Sequence, residues 1–390
     1  MVQDMYIQSM EPLPDVQVNW DWMDFLAYPC KEWQARYPTR RPFGYLCTYA
    51  PVELLHAAGF VPVRLLQWSG TVALANAHLP SFSCALVRLV TERLLNGELD
   101  CLSGLLLVHT CDAMQCVTDI WRMASPRFKV IHFSLPTVLS NAGARDYWRT
   151  ELQRLAVILE SEYGVPVTED ALQASIALYN EQRRLMTVLY ERRWALAVEQ
   201  FWSLTLAGMV MPVEEYNALL RSVLQGLGGE KSATHKRPAV ILVGAVLDDP
   251  AIPQLIHELG GQLAWDDLCT GSRYFDVLAN ESKEPFESLV ERYLRRAPCP
   301  SKHDATNSRA RRLLDLVHST EAQGVVFVLP KFCEPHAFDY VVLSRALMDA
   351  GVPHLLIETD LTVPVGQLRT RIQAFLELLG ERERGRGQAP

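Results

Sequence analysis

The chain lacks a long uncharged apolar stretch. Its longest runs from Phe201 to Val213 and ends in proline-containing sequence, short of the ~20 residues that span a bilayer. It has no Walker-type phosphate loop and no GxGxxG turn, so it is not itself an ATPase. No CxxC pair and no His-rich spacing occurs, and the single C-x4-C interval, Cys111 to Cys116, runs across a helix start, where a two-ligand zinc knuckle is disfavoured. Positive charge is also short, with Lys plus Arg at 37 against Asp plus Glu at 45, a formal charge of −8. That balance argues against a nonspecific nucleic-acid binder, so any anionic ligand must be met locally. The first residues, MVQDMYIQSMEPLPDV, lack the basic and apolar regions of a secretory signal, and nine cysteines cannot all pair within one chain. These absences predict a reducing, cytoplasmic setting with neither nucleic acid nor membrane as partner.

What is present is ordinary globular composition: 390 residues, 49% hydrophobic and 21% charged, enough to bury the cores of two or three units. Residues 1–40 read as a helical or irregular entry segment. From there short Val/Leu/Ile-rich runs at 59–67, 104–109 and 128–135 alternate with helical periodicity at 84–96 and 112–123, the pattern of βαβ units and a parallel sheet. Helical spacing then dominates at 144–163, 168–189 and 192–224, with Thr168 placed to start the second of these. The polar segment 226–237 marks a linker. Strands are expected again at 238–247, 262–267, 324–332 and 354–358, with helices at 252–259, 337–350 and 368–379. The expected units are an entry segment (1–40), a first α/β domain (41–143), a helical connection (144–228), a second α/β domain (229–381) and a charged tail (382–390). The fold class is α/β, two Rossmann- or flavodoxin-like parallel-sheet domains joined by helices.

Cys111 follows the run LLLVHT, Cys333 follows VVFVLPKF, and Cys47 precedes the helix that Pro51-Val52-Glu53 begins. Open α/β sheets bind ligands beyond the carboxyl ends of their strands, so cysteines of both halves could converge on one cleft. Convergent thiolates suit a soft metal or an iron–sulfur cluster. Cys84, opening another helix, is a fourth candidate. Taken singly, each is as well explained as a buried inert thiol.

The words around these cysteines are more specific. GYLCTYAPVELLHAAGFVPVRL, HTCDAMQCVTDIWR, WDDLCTGSRYF and KFCEPHAFDY, followed by GQLRTRIQAFLELL, resemble in colinear order the 2-hydroxyacyl-CoA dehydratase family, which also contains catalytic subunits of ATP-dependent benzoyl-CoA reductases. The resemblance covers residues 41 to 381. It implies two α/β domains holding a [4Fe–4S] cluster through three cysteines, with one iron left open. It also implies a second homologous subunit as heterodimer partner, a separate ATP-hydrolysing activator that injects one electron, and an acyl-CoA thioester as substrate. Cys47 and Cys333 are then the firmer ligands, with Cys84 or Cys111 as the third.

The implied chemistry answers a problem of acidity. In a 2-hydroxyacyl-CoA the proton to be lost is β to the carbonyl and hydroxide is a poor α leaving group. One electron on the thioester carbonyl gives a ketyl radical that expels the hydroxyl, acidifies the β-proton and returns the electron as the enoyl-CoA forms. In the reductase branch the electrons stay in an aromatic ring. Six cysteines in motif-like settings (Cys47, Cys84, Cys111, Cys269, Cys299, Cys333) keep a third possibility open, an electron-transfer protein with a double-cubane-type cluster.

Further candidates are weaker. Glu53 is read as catalytic or as an ordinary first-turn helix acid; the acid that family members often carry just after the proline is here Val52. His336 could donate to cluster sulfide or substrate oxygen, or be a satisfied buried histidine. Asp112 could orient the loop or cap a helix. Asp266, Asp267, Gly271, Ser272 and Arg273 form a polar turn near Cys269. Arg369 and Arg371 are read as salt-bridged on the closing helix, with CoA phosphates as the lesser alternative. Cys30, Cys101 and Cys116 are expected in ordinary packing.

Overall fold

A computed structural model describes residues 29–66, 70–227, 237–362 and 365–386. Most of the entry segment and most of the expected linker fall outside the described residues. The first sheet holds β1 (Pro42–Tyr45), β2 (Val61–Arg64), β3 (Leu105–His109) and β4 (Val130–Ser134). The second holds β5 (Ala239–Gly244), β6 (Gln262–Asp267), β7 (Gly324–Pro330) and β8 (His354–Thr359). Their orders are β2-β1-β3-β4 and β6-β5-β7-β8, and every neighbouring pair is parallel. The α/β reading with two parallel sheets therefore holds.

The helices are, in chain order, α1 (Pro29–Arg36), α2 (Val52–Ala57), α3 (Ala85–Leu95), α4 (Asp112–Ala124), α5 (Ala144–Tyr163), α6 (Glu169–Glu191), α7 (Val198–Ala207), α8 (Val213–Gly226), α9 (Ala251–Glu258), α10 (Ser272–Phe275), α11 (Pro285–Arg295), α12 (Ser308–Ser319), α13 (Glu334–Asp349) and α14 (Val365–Arg386). Among the described residues no helix is long and apolar enough to cross a membrane.

Alternation along the strands decides which face meets which helices. In the second sheet Val240, Leu242, Val326 and Val328 pack with Leu255, Ile256, Phe375 and Leu376 of α9 and α14. Their neighbours Ile241, Val243, Val325 and Phe327 pack with Leu313, Leu343 and Leu347 of α12 and α13. The first sheet repeats the arrangement, with Leu106, Val108 and Phe133 against Trp148, Leu152 and Leu155 of α5, and Leu105, Leu107 and Val130 against Val90, Val117 and Trp121 of α3 and α4. Both faces are covered, which is why the strands read as continuous apolar runs.

The structure differs from the sequence reading at four places. β1 falls outside the expected strands, because Pro42-Phe43-Gly44-Tyr45 carries two poor strand formers; its central place between β2 and β3 buries all four residues and overrides propensity. The expected helical stretch 192–224 is split into α7 and α8, with Gly208 at one C-cap and Pro212 at the next N-cap. Cys30 and Cys101, expected as packed thiols, are joined in a disulfide that ties α1 to the segment before β3. The closing helix also runs on through the Arg/Glu-rich sequence to Arg386, residues with good helix propensity.

Gly244 ends β5 where a Cβ would overlap the Val328 carbonyl of β7, a backbone group that cannot rotate away. Gly244→Ala should therefore cost about 1–3 kcal/mol by forcing the central strands apart, measurable as a lower urea midpoint at unchanged slope.

Candidate functional site

In each sheet the order of the strands reverses between the first and third strand, the place where α/β folds bind ligands. Cys47 follows β1 and Cys111 follows β3, flanking that point in the first sheet; Cys333 follows β7 in the second, and Cys269 follows β6. Cys84, Cys111 and Cys333 are the N-cap residues of α3, α4 and α13. Amides of Leu86 and Val87 favour the Cys84 thiolate, and those of Ala113 and Met114 favour that of Cys111, as expected at the second and third helical positions. At Cys333 the second position is Pro335, which has no N–H, so His336 alone supplies this contact. Cys47 accepts from the Tyr49 amide at 3.5 Å.

The thiols of the two halves converge. Cys333 lies close enough to Cys84, Cys111 and Cys269 that a negative charge on any of them raises its pKa. Cys47 is related in the same way to Cys299 and Cys269, and Cys111 to Cys84 and Cys299. Thus Cys47, Cys84 and Cys111 from the first half lie within electrostatic reach of thiols of the second, Cys269, Cys299 and Cys333. Burial pushes the Cys47 thiol up to about 12 and that of Cys111 up to about 11, and it raises Cys84 and Cys333 as well. Among the described residues no group of three or more His, Cys, Asp or Glu side chains closes to metal-holding distance. The donor set is nonetheless the soft, thiol-rich one that iron–sulfur chemistry uses, and a bound cation would reverse the burial penalty on each thiolate.

Both halves supply charge around these sulfurs. Arg64, buried at the end of β2, donates to the Cys269 carbonyl at 2.7 Å. Arg296 donates to the Thr48 carbonyl at 2.6 Å, beside Cys47. Burial alone would raise the Asp267 carboxyl, but Arg273, Arg309 and Arg312 hold it at about 2. His336 sits with Nδ1 3.3 Å from Cys333 Sγ, and the Gly244 backbone lies within hydrogen-bond reach of the ring. Burial and the neighbouring Arg273 and Arg309 push its pKa well below the ordinary value, so the ring is neutral.

The other candidates lie differently. Glu53 is fully buried in α2, with its carboxylate paired to Arg183 and 3.5 Å from Tyr293 Oη. It meets no open space. Asp112 is exposed in the first turn of α4, because Cys111 occupies the cap. Asp266 accepts from the amides of Leu268 and Ser272 and shapes the turn after Cys269. Arg369 pairs with Glu258 at 2.6 Å and Arg371 donates to the Leu356 carbonyl. Cys116, expected in packing, is instead exposed on α4, whose buried face is carried by Met114, Val117 and Trp121.

The profile of the family described as 2-hydroxyglutaryl-CoA dehydratase, D-component, matches residues 47–379. The chain belongs to this family. It is 30% identical over 348 residues to lactoyl-CoA dehydratase subunit beta of Anaerotignum propionicum, covering 86% of this chain and 91% of that protein. It is 25% identical over 345 residues to the (R)-phenyllactyl-CoA dehydratase beta subunit of Clostridium sporogenes, covering 87% and 92%. A benzoyl-CoA reductase subunit of Thauera aromatica is 26% identical over 343 residues, covering 85% and 88%. The family match covers every strand except β1 and every cysteine of the convergent set.

Sequence reasoning left Cys269 and Cys299 undecided and passed over Arg64, Arg296 and Lys302. Cys299 had one signal, its placement between Pro298 and Pro300 in a turn. The cations had none, since their relation to the thiols arises only when the two halves meet.

Proposed function

We propose that this chain is the iron–sulfur subunit of a 2-hydroxyacyl-CoA dehydratase. The observation that carries the reading is the convergence of Cys47, Cys84, Cys111 and Cys333 at the carboxyl ends of two parallel sheets, in a chain of the dehydratase family. Three of these would hold a [4Fe–4S] cluster. Bound there, a cluster with one open iron supplies a one-electron relay and a Lewis acid for a thioester carbonyl. The chain's own residues prepare the place: helix-terminal amides favour the thiolates, and neutral His336 stands beside Cys333, where its ring would hydrogen-bond a sulfide or a substrate oxygen. Glu53 positions; its carboxylate anchors α2 and the Cys47 loop through Arg183 and Tyr293, whose hydroxyl donates to the Ala50 carbonyl.

The names of the relatives, beta subunits of dehydratases, support a partner subunit. We assign to a homologous partner the exposed apolar stripe Phe338, Val341 and Val342 on α13, just beyond Cys333. A separate ATP-hydrolysing activator and a cytoplasmic location complete the proposal.

A second reading is favoured by Cys269 and Cys299, which join the same group of thiols. Six thiols suit a larger double-cubane cluster in an electron-transfer protein. Iron and acid-labile sulfide counting on anaerobically purified protein separates the two, with about four irons per chain for the first and about eight for the second. No iron after anaerobic reconstitution overturns both.

A further inference from the structure

We propose that Lys302 is the counter-charge of the cysteine site, a cation on a largely buried side chain near Cys47 and Cys299 that makes the bound cluster easier to reduce. This rests on the cluster reading above and adds a residue to it. The segment from Arg296 to His303 crosses from α11 of the second half onto the first half. Arg296 donates to the Thr48 carbonyl, the Cys299 amide donates to Tyr49 Oη at 3.2 Å, and the His303 amide donates to the Thr137 carbonyl at 2.9 Å. Those three bonds fix the loop in which the Lys302 amide donates back to the Cys299 carbonyl at 2.8 Å.

Lys302 is thereby 7% exposed, a rare state for a lysine, and no carboxylate among the described residues pairs with it. The nearby anions are already engaged: Asp267 with Arg273, Arg309 and Arg312, Asp276 with Arg296 and Arg312, and Asp339 with Arg309. The groups that act favourably on the Lys302 charge are Cys299 and Cys47. A largely buried lysine that no carboxylate neutralises, and whose charge is favoured by two thiols, is matched best by a negative group held at those thiols. A cluster held by thiolates is such a group, and its negative charge grows by one on reduction. A fixed positive charge nearby therefore favours the reduced state and raises the potential.

The test is an anaerobic redox titration followed by electron paramagnetic resonance on reconstituted wild type, Lys302→Met and Lys302→Arg, with iron counted in each. Lys302→Met should keep the wild-type iron content and lower the midpoint by at least 59 mV, a tenfold shift in the reduced-to-oxidised ratio for one electron. Lys302→Arg, which keeps the charge, should stay near the wild-type midpoint. An unchanged midpoint in Lys302→Met at full iron content overturns the inference and leaves the cluster reading intact. Loss of iron and of thermal stability in both variants shows a packing role and also overturns it. Wild type that takes up no iron overturns the cluster reading and this inference with it.

Discussion

Cys333→Ala is expected to leave the purified chain without iron, while Cys116→Ala keeps the wild-type content. Cys333 stands at the N-cap of α13, directly after β7, within electrostatic reach of Cys84, Cys111 and Cys269. Removing it takes away the one ligand candidate that links the second sheet to both helix-terminal thiols of the first. The fold should survive the change, because the side chain is only partly buried and its contacts with its helix are confined to the amide and ring of His336. Circular dichroism and a thermal melt within a few degrees of wild type would show that iron loss is not unfolding. Cys116 lies on the exposed face of α4 and serves as the control. Full iron in Cys333→Ala removes it from the ligand set. Cys269→Ala and Cys299→Ala extend the series, since a three-ligand cluster keeps its iron in both and a larger cluster loses it.

The second large effect is on stability. Glu53→Ala should destabilise the fold by about 3–5 kcal/mol, because it leaves Arg183, 2% exposed, without its carboxylate in a buried setting. Arg292 lies in the same field and would add to the uncompensated charge. The pair also predicts a pH dependence. Burial alone would raise the Glu53 carboxyl, but Arg183 and Arg292 outweigh it and hold the pKa below the ordinary 4.5. A carboxyl whose folded pKa is depressed contributes stability that is complete above its unfolded pKa and disappears as the pH falls through the folded value. Urea unfolding should therefore show wild type losing this contribution below about pH 4.5, while Glu53→Ala shows a flatter acid limb. Equal stability of variant and wild type at pH 7 would contradict the ion-pair account.

Much of the architecture was readable because both sheets are covered on both faces. Strands such as 239–244 and helices such as 144–163 announce themselves by continuous apolar runs and by three- and four-residue spacing. β1 did not, since its burial is a property of the finished sheet and not of Pro42-Phe43-Gly44-Tyr45. Helices α11 and α12 were passed over for a related reason: α11 is rich in Arg and Glu and α12 in Arg, and their narrow apolar stripes are set by the surfaces they cover.

The site divides along the same line. Cys47, Cys84, Cys111 and Cys333 could be singled out because each stands at a strand end or a helix start that the sequence itself marks. Cys269 and Cys299 come into the group only through contacts between the halves, as do Arg64, Arg296 and Lys302. Glu53 looked reactive because a lone acid after Pro51-Val52 stands close to Cys47. Its true neighbour, Arg183, is far along the chain, on α6, and no local signal connects them.

The decisive experiment is a crystal structure of anaerobically purified protein with anomalous scattering measured at the iron edge. Iron density is expected where Cys47, Cys84, Cys111, Cys269, Cys299 and Cys333 converge, bonded to sulfurs of both halves. Iron-replete crystals with no anomalous density at that junction, or with iron bound elsewhere on the chain, would contradict the cluster assignment.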